Sequence, residues 1–407
     1  MIYSRSRMER YSIYLHIPFC RHRCSYCDFN TYAGLESLIP DYLAGLGLET
    51  RMLGESTGRR LPVRTIFFGG GTPSLLPVSG LESLLQTLKD FFDLSQVEEI
   101  TLEANPGTLS LDYLKALRSS GINRLSLGMQ SARQEELDLL ERQHDFGDVV
   151  QAVSWSRRAG FDNVNLDLIF GLPYQTLGDW ETNLERALTL SPDHFSLYAL
   201  TLEHGTPMAH WVERGLLDEP DPDLAAEMYE LAACRLSEAG YIQYEISNWA
   251  RSDRNGGFLA CLHNLQYWRN LPYLGMGAGA HGYANGVRTV NVLAPYGYLH
   301  RLQRGMGEEG VNVYPFPVTP ATMNAQSIDR QTEIGETMMM GLRLTQEGVS
   351  ASAFRRRFGE SLEEVFGDEI RELAAFGLLE RAGPERDILR LTEQGRLLGN
   401  QVFSRFI

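Results

Sequence analysis

Three cysteines, Cys20, Cys24 and Cys27, lie within eight positions near the start of the chain. They are too close together to build a disulfide framework, but thiolates at this spacing can bind a metal centre. A structural zinc ion takes four ligands, usually as two separated cysteine pairs, whereas the remaining Cys234 and Cys261 are far apart. A [4Fe-4S] cluster bound by three cysteines leaves one iron open to a further ligand. The spacing therefore favours an iron–sulfur cluster, with zinc or free thiols as the alternatives.

Short apolar runs rich in β-branched and aromatic residues alternate with helical patterns over the first half of the chain. Strands that alternate with helices pair in parallel through right-handed crossovers. The predicted fold class is therefore α/β, a (β/α)₆ partial TIM barrel with fewer units than the usual eight. Because the cysteines follow the first strand, we expect them at the carboxyl ends of the strands, where barrels build their sites. The predicted strands are Ile13–Ile17, Thr65–Phe68, Glu99–Glu103, Arg124–Met129, Asn163–Ile169 and His194–Leu200.

Two proline-containing breaks divide the rest of the chain. The first is at residues 218–223, and the second has three prolines within residues 315–320. Beyond it, helical patterns are followed by strand patterns at 378–381 and 388–391, an order that resembles a winged-helix domain. The expected domains are an N-terminal tail at 1–11, the barrel at 12–217, an extension of the barrel at 218–325 and a C-terminal winged-helix-like domain at 326–407.

The charge and hydropathy of the chain limit its partners. Its 407 residues include 37 basic and 52 acidic side chains, a formal net charge of −15, which repels nucleic acid unless a basic patch overrides it. The Arg355–Arg357 run lies in an acidic region and is interpreted as a solvated helix face. No apolar run is long enough for a membrane span, and the first ten residues contain no signal-type stretch. We therefore expect a cytoplasmic protein with no nucleic-acid partner and no membrane span.

Motifs along the chain carry a resemblance to a known family. Residues 14–20 read Tyr-Leu-His-Ile-Pro-Phe-Cys, and Cys24-Ser-Tyr-Cys follows. This opening resembles the radical S-adenosylmethionine (SAM) proteins and, among them, the branch of oxygen-independent coproporphyrinogen III oxidases and their relatives. Further motifs of that branch follow in the expected order, at Gly69–Pro73, Glu103–Thr108, Arg124–Gln130 and Asp167–Pro173.

The resemblance implies a radical SAM (β/α)₆ core, a [4Fe-4S] cluster with one open iron on the three cysteines, and a SAM site beside it. It implies that an electron from a flavodoxin or ferredoxin reduces the cluster, and that SAM is cleaved to methionine and a 5′-deoxyadenosyl radical. Bare glycine backbone can approach the methionyl amine of SAM, an acid can accept the ribose hydroxyls, and an arginine fork suits a carboxylate. The residues implied in SAM binding are Tyr14, Tyr26, Gly70, Gly71, Thr72, Glu103, Gln130, Arg142 and Asp167.

Two departures distinguish the chain from the oxidases of this branch. The oxidase pattern has a fourth cysteine two residues after the third, where this chain has Phe29, and only nineteen residues precede Cys20. The stretch Cys27–Thr31 is instead similar to the heme chaperones related to those oxidases, and His263–Trp268 matches their His-Asn-x-x-Tyr-Trp signature. This resemblance implies binding of heme b and delivery to acceptor hemoproteins. Imidazole is the commonest axial ligand of heme, so His263 is the candidate ligand, with a structural hydrogen bond as the alternative.

The sequence leaves three hypotheses about function. The first is a heme chaperone that binds a cluster, SAM and heme, and it need not be an enzyme. The second is an oxygen-independent coproporphyrinogen III oxidase, which removes two propionate carboxyl groups by radical chemistry. The third is a transcriptional or assembly factor that acts through the C-terminal domain, which the acidic charge makes a poor DNA reader.

Overall fold

The computed structural model describes residues 10–253, 257–307, 310–311 and 314–407. The chain forms two compact units, one of Met1–Met228 with Pro272–Ser327 and the other of Tyr229–Leu271 with Ile328–Ile407. The predicted tail covers residues 1–11. Its first nine residues lie outside the described residues, and Tyr11 already begins the first strand.

Strands and helices alternate through most of the described chain. The strands are β1 (Tyr11–Ile17), β2 (Phe19–Cys20), β3 (Tyr32–Ala33), β4 (Val63–Gly70), β5 (Glu99–Ala104), β6 (Arg124–Gln130), β7 (Val164–Phe170), β8 (His194–Ala199), β9 (Ile242–Glu245), β10 (Asn248–Ala250), β11 (Tyr273–Met276), β12 (His281–Ala284), β13 (Val287–Asn291), β14 (Met306–Gly307), β15 (Gly310–Val311), β16 (Thr322–Ser327), β17 (Val349–Ser350), β18 (Leu379–Ala382) and β19 (Ile388–Leu391).

Fifteen α-helices accompany these strands in the described residues. None of them is long and apolar enough to cross a membrane. The helices are α1 (Ile39–Ser56), α2 (Val78–Phe91), α3 (Leu111–Ser119), α4 (Gln134–Leu139), α5 (Phe146–Arg158), α6 (Leu177–Thr189), α7 (Pro207–Glu213), α8 (Pro222–Glu238), α9 (Leu262–Trp268), α10 (Pro295–Arg304), α11 (Arg330–Gly341), α12 (Ala351–Phe358), α13 (Leu362–Ala375), α14 (Glu393–Leu397) and α15 (Gly399–Phe403).

A parallel sheet forms the centre of the first unit. The six predicted strands correspond to β1, β4, β5, β6, β7 and β8, which lie side by side in this order. Every neighbouring pair is parallel; in the first pair, Tyr11 lies opposite Val63 and, after a register shift, Ser12 lies opposite Thr65. The strands are buried along nearly their whole length, as expected for a parallel sheet with both faces covered. The predicted α/β class and the parallel pairing of these strands are confirmed.

The same sheet continues beyond β1 with strands that the sequence analysis did not predict. Strand β11 pairs in parallel with β1, and β12, β13 and β16 follow in antiparallel pairing. This pairing places residues 272–327 in the first unit, whereas residues 229–271 belong to the second. The extension predicted at 218–325 is therefore divided between the two units, because strand pairing and packing join segments that are distant in the sequence.

The second unit packs helices against a small antiparallel sheet with the order β17-β19-β18. Its core includes Ile334, Phe354, Ile370, Leu389 and Phe403. The unit also contains the antiparallel pair β9 and β10 and the short helix α9. Helices precede the β18–β19 hairpin in the predicted order, and the winged-helix assignment itself stays a prediction.

A buried carboxylate joins the first helix to the added strands. Glu49 of α1 is buried, and its two oxygens accept four hydrogen bonds. The donors are the Gly277 amide at 2.8 Å, Tyr298 Oη at 2.7 Å, Asn291 Nδ2 at 2.8 Å and Thr319 Oγ1 at 3.0 Å. Burial raises the pKa of Glu49, and these hydrogen bonds oppose the shift. The contacts fix the loop after β11, which lies close to the end of β1.

We expect Glu49→Ala to destabilise the protein by about 3 kcal/mol or more, because several buried donors lose their acceptor. Urea unfolding followed by circular dichroism measures this loss. Glu55→Ala is the matched control on the same helix, since Glu55 is exposed and forms an ion pair with Arg51, a contact worth less than about 0.5 kcal/mol. Equal effects of the two substitutions would contradict the structural role of Glu49.

Candidate cofactor site

A cavity of about 490 Å³ opens at the carboxyl ends of the parallel strands. It brings together nearly all the site residues predicted from the sequence, although these residues are spread over more than a hundred positions. Tyr14 and His263 are the two predicted site residues that do not line it. The predicted residues that line it are Cys20, Cys24, Tyr26, Cys27, Gly70, Gly71, Thr72, Glu103, Gln130, Arg142 and Asp167.

The cysteine loop forms one wall of this cavity. It begins at β2 and is closed by the parallel pairing of β2 with β3, while the Cys27 amide donates to the Cys24 carbonyl at 3.2 Å. Each sulfur has its own polar neighbour, so the three thiols are held separately. These contacts are Thr72 Oγ1 to Cys20 Sγ at 3.6 Å, Arg142 Nη1 to Cys24 Sγ at 3.5 Å and Thr31 Oγ1 to Cys27 Sγ at 3.7 Å.

The donor set on this wall consists of three thiols. A zinc site requires ligands that converge on one point, and the described part of the chain has no group of three Cys, His, Asp or Glu side chains in that arrangement. Burial raises the pKa of Cys20, whereas the Thr72 hydroxyl and, more weakly, the Arg142 guanidinium lower it. Three thiols on one wall, with a buried cation beside them, can hold the corners of an iron–sulfur cluster.

Glycines let the backbone approach the cysteine loop closely. A Cβ atom on Gly71 would lie 2.6 Å from the Phe19 carbonyl oxygen and 2.9 Å from Cys20 Sγ. Gly70 has a φ of 114°, a conformation that side-chain-bearing residues rarely adopt. Bare backbone in this motif is expected to give access to the SAM amine. The structure adds a second reason, since any side chain at Gly71 would displace Cys20.

Two buried carboxyl groups lie on the cavity wall. Glu103 accepts a hydrogen bond from the Gly70 amide at 2.9 Å, and Asp167 accepts from Ser126 Oγ at 2.9 Å and Asn165 Nδ2 at 2.8 Å. Burial, together with the charge of Asp167, raises the pKa of Glu103 to about 8. Burial also raises the pKa of Asp167. A cationic ligand would compensate this buried negative charge, and SAM carries both a sulfonium and an ammonium group.

Arg142 contributes a buried cation with an unused donor. Its Nη2 donates to the Gly128 carbonyl at 2.9 Å, while Nε is buried and has no hydrogen-bond partner among the described residues. Arg142 lines the cavity, and a guanidinium group there suits the carboxylate of a ligand. Neighbouring Gln130 has a φ of 63°, which is unusual for a residue with a side chain and turns the chain at the end of β6.

Tyr14 lies behind the cavity wall. Its hydroxyl is 2.9 Å from His16 Nδ1, and His16 Nε2 is 2.9 Å from the Asn30 carbonyl oxygen. The Asn30 amide group donates in turn to the carbonyl oxygens of Ala278 and Leu293. Tyr14 is therefore placed to position the end of the cysteine loop.

The cavity is also lined by residues that the sequence analysis did not single out. Ser126 lies on β6, Tyr198 near the end of β8, and His22 and Phe29 in the cysteine loop. Ser126 and Phe29 lie inside motifs noted in the sequence, Arg124–Gln130 and Cys27–Thr31, but neither was assigned to a site. His22 lies between Cys20 and Cys24, and Tyr198 lies near a strand end, and these positions are the signals that would have identified them.

His263 lies on α9 in the second unit. The residue is only 1% exposed, its Nε2 is 2.8 Å from Tyr267 Oη, and the two rings meet edge to face. Trp268 of the same motif lies under the Arg343 guanidinium, 4.4 Å from the ring centre. The ring nitrogen that faces Tyr267 is thus engaged within the second unit.

Known proteins share both the sequence and the fold of this chain. Residues 14–187 match the model of the radical SAM superfamily, and residues 328–398 match the HemN C-terminal domain. The heme chaperone HemW of Bacillus subtilis is 39% identical over 97% of this chain and 99% of its own length. HemW of Lactococcus lactis is 36% identical over 97% of each chain.

A solved structure gives independent support for the fold. Coproporphyrinogen III oxidase HemN from Escherichia coli, described as a radical SAM enzyme, superposes with a TM-score of 0.80 over 99% of this chain and 91% of its own. At 23% sequence identity, this match shows the shared fold and says nothing about activity. The predicted radical SAM α/β fold is thereby confirmed. Together with the nearly full-length similarity to the HemW proteins, it shows that the chain belongs to the HemW family of the radical SAM superfamily.

Proposed function

We propose that this protein is a heme chaperone that binds a [4Fe-4S] cluster, SAM and heme b, and delivers heme to acceptor hemoproteins in the cytoplasm. The observation that carries the proposal is similarity over nearly the whole chain to relatives named heme chaperones. The cavity supports the cofactor part, because its lining includes three thiols, the carboxyl groups of Glu103 and Asp167, and the guanidinium group of Arg142.

In this proposal each part of the cavity has one task. Cys20, Cys24 and Cys27 bind the cluster, which when bound supplies an electron to SAM from a flavodoxin or ferredoxin. Glu103 accepts hydrogen bonds from the ribose, and Arg142 binds the carboxylate of SAM. The rest of SAM is enclosed by the bare backbone of the glycine motif beside Thr72 and by Tyr26, Gln130 and Asp167. These residues exclude water from the site.

The alternative is the coproporphyrinogen III oxidase reaction, and the fold is compatible with it. Fold similarity at low identity does not carry an activity, and Phe29 stands where the oxidase pattern has its fourth cysteine. We therefore give the chaperone function priority. No nucleic-acid partner is proposed, since the net charge of −15 disfavours it.

Anaerobic cluster reconstitution followed by two parallel assays tests the proposal. We expect stoichiometric heme binding by absorption spectroscopy, transfer of that heme to an apo-hemoprotein, and no protoporphyrinogen from coproporphyrinogen in the presence of SAM and reductant. A preparation that contains the cluster but binds no heme would contradict the chaperone function. Formation of protoporphyrinogen would support the oxidase instead.

His263 is the heme ligand proposed from its motif, and its geometry sets a condition on that role. The ring must leave its hydrogen bond to Tyr267 and become exposed before iron can reach Nε2. We expect His263→Ala to lower the stability of the protein by about 1–3 kcal/mol, because a buried hydrogen bond is lost. Thermal unfolding measures this loss. A changed heme absorption spectrum supports ligation by His263, whereas an unchanged spectrum leaves it a structural role.

A further inference from the structure

Two aromatic side chains stand exposed on the lining of the cofactor cavity. Phe29 is 62% exposed and Tyr198 is 44% exposed, although both line this concave site. Phe29 lies in the cysteine loop, and Tyr198 lies on β8, so two separate elements present an aromatic surface to one opening. Large apolar side chains left open in a concave site are typical of a site for an apolar ligand.

An exposed imidazole lines the same cavity. His22 lies between Cys20 and Cys24, and among the described residues it is the one histidine on the cavity lining. Its side chain is 43% exposed, and Nε2 is 3.5 Å from Glu141 Oε2. The other ring nitrogen, Nδ1, makes no hydrogen bond to a described residue. A histidine that binds a metal commonly has a carboxylate near its second nitrogen, which orients the ring.

Cationic side chains flank this histidine. Arg21 and Arg23 are exposed and line the cavity. Arg23 donates to the Cys27 carbonyl at 3.0 Å, while Arg21 has no hydrogen bond or ion pair with a described residue. Acidic residues, among them Asp28, Glu141 and Glu203, also line the cavity. Guanidinium groups there suit the carboxylates of a ligand.

Heme has three chemical parts, and this cavity offers a group for each. An imidazole suits the iron, two aromatic side chains suit the porphyrin ring, and two guanidinium groups suit the propionates. We propose that heme binds at the mouth of this cavity, with His22 as an axial ligand, Phe29 and Tyr198 against the porphyrin, and the propionates at Arg21 and Arg23. This inference rests on the proposed heme-chaperone function. It assigns the ligand to an exposed histidine of the first unit, whereas His263 is buried within the second unit.

Heme titration of full-length, cluster-reconstituted variants tests this site. We expect His22→Ala to shift the Soret band and to weaken heme binding by roughly tenfold or more, because an iron ligand is lost. Phe29→Ala and Tyr198→Ala should each weaken binding by roughly tenfold without the ligand-type spectral shift, because they remove apolar contact area. Iron and acid-labile sulfide are measured in every variant to show that the cluster is retained.

Matched controls outside the cavity are available for both residue types. His210 is the control for His22, because it is exposed and its Nδ1 lies 3.7 Å from Glu213 Oε2, as His22 lies beside Glu141. Phe376 is the control for Phe29, because it is 63% exposed. We expect His210→Ala and Phe376→Ala to bind heme as the wild type does. If His22→Ala loses the cluster, Tyr198→Ala decides the outcome, because Tyr198 lies outside the cysteine loop.

The outcomes separate this inference from the proposed function. Wild-type protein that binds no heme overturns the heme-chaperone function itself. Wild-type protein that binds heme, with unchanged spectra and affinities in the His22, Phe29 and Tyr198 variants, overturns only the proposed site. A spectral shift in His263→Ala, without one in His22→Ala, assigns the ligand to His263 and likewise overturns it.

Discussion

Cys24→Ser is expected to leave the protein with almost no bound iron or acid-labile sulfide after anaerobic reconstitution. Three sulfurs bind the cluster in our proposal, and a serine hydroxyl is a poor replacement for a thiolate ligand. The substitution also removes the sulfur that faces Arg142 Nη1 at 3.5 Å and so leaves this buried cation with one fewer contact. Colorimetric iron and sulfide assays, with the absorption spectrum of the cluster, measure the loss.

Cys234→Ser is the matched control for this experiment. Cys234 is exposed on α8 and does not line the cavity, so its variant should reconstitute like the wild type. Near-normal iron and sulfide in Cys24→Ser would contradict the assignment of the three cysteines. Such a result would remove the basis for both the chaperone and the oxidase hypotheses, since each requires the same cluster.

Glu103→Gln is expected to weaken SAM binding by roughly 10- to 100-fold at alkaline pH, because a buried ionised acceptor of hydrogen bonds is lost. The free carboxyl has a pKa of about 8, so it is mostly protonated at neutral pH. A cationic ligand favours its ionised form, and binding therefore releases a proton. SAM affinity of the wild type should rise with pH up to about 8, by at most roughly tenfold per pH unit, and then level off.

The same pKa predicts how stability changes with pH in the absence of SAM. Its folded-state value of about 8 lies above the ordinary value of 4.5, so the folded protein holds a proton that the unfolded chain releases. The contribution of Glu103 to stability is therefore fully present below about pH 4.5 and is lost as the pH rises to about 8. Subtracting the stability of Glu103→Gln from that of the wild type at each pH isolates this contribution.

Isothermal titration across pH 6 to 9 gives the SAM affinities, and Glu203→Gln provides the control. Glu203 is an exposed acid on the cavity lining, and its substitution should leave both the affinity and its pH dependence unchanged. A Glu103→Gln variant with the same rise in affinity as the wild type would show that another group controls the pH dependence. Asp167 would then be the next candidate, because it is buried in the same wall and its pKa is also raised.

Local patterns in the sequence were sufficient for the strands of the core. Each predicted strand, such as Arg124–Met129 for β6, lies within a few residues of its observed bounds. The side chains of a strand repeat every two residues, and the apolar character of a buried strand is visible in a short window. The three cysteines proposed as cluster ligands lie in one loop, so their spacing is also visible in a short window. The residues proposed to bind SAM were predicted from family motifs and not from periodicity.

Tertiary structure alone decided the features that depend on residues far apart in the chain. The pairing of β11 with β1 joins positions about 260 residues apart, and it moved the predicted domain boundary. No local pattern encodes such a pairing, because many strands could form the same backbone hydrogen bonds. The burial of His263 and the raised pKa of Glu103 are likewise products of packing.

The sequence by itself determined which chemical groups this protein has, since side-chain type and spacing are local properties. The folded chain decided their charge, their exposure and their neighbours. Burial and the charge of Asp167 raise the pKa of Glu103 to about 8, and His22 is exposed while His263 is buried. Solvation depends on everything that surrounds a group, and those surroundings exist only once the chain has folded.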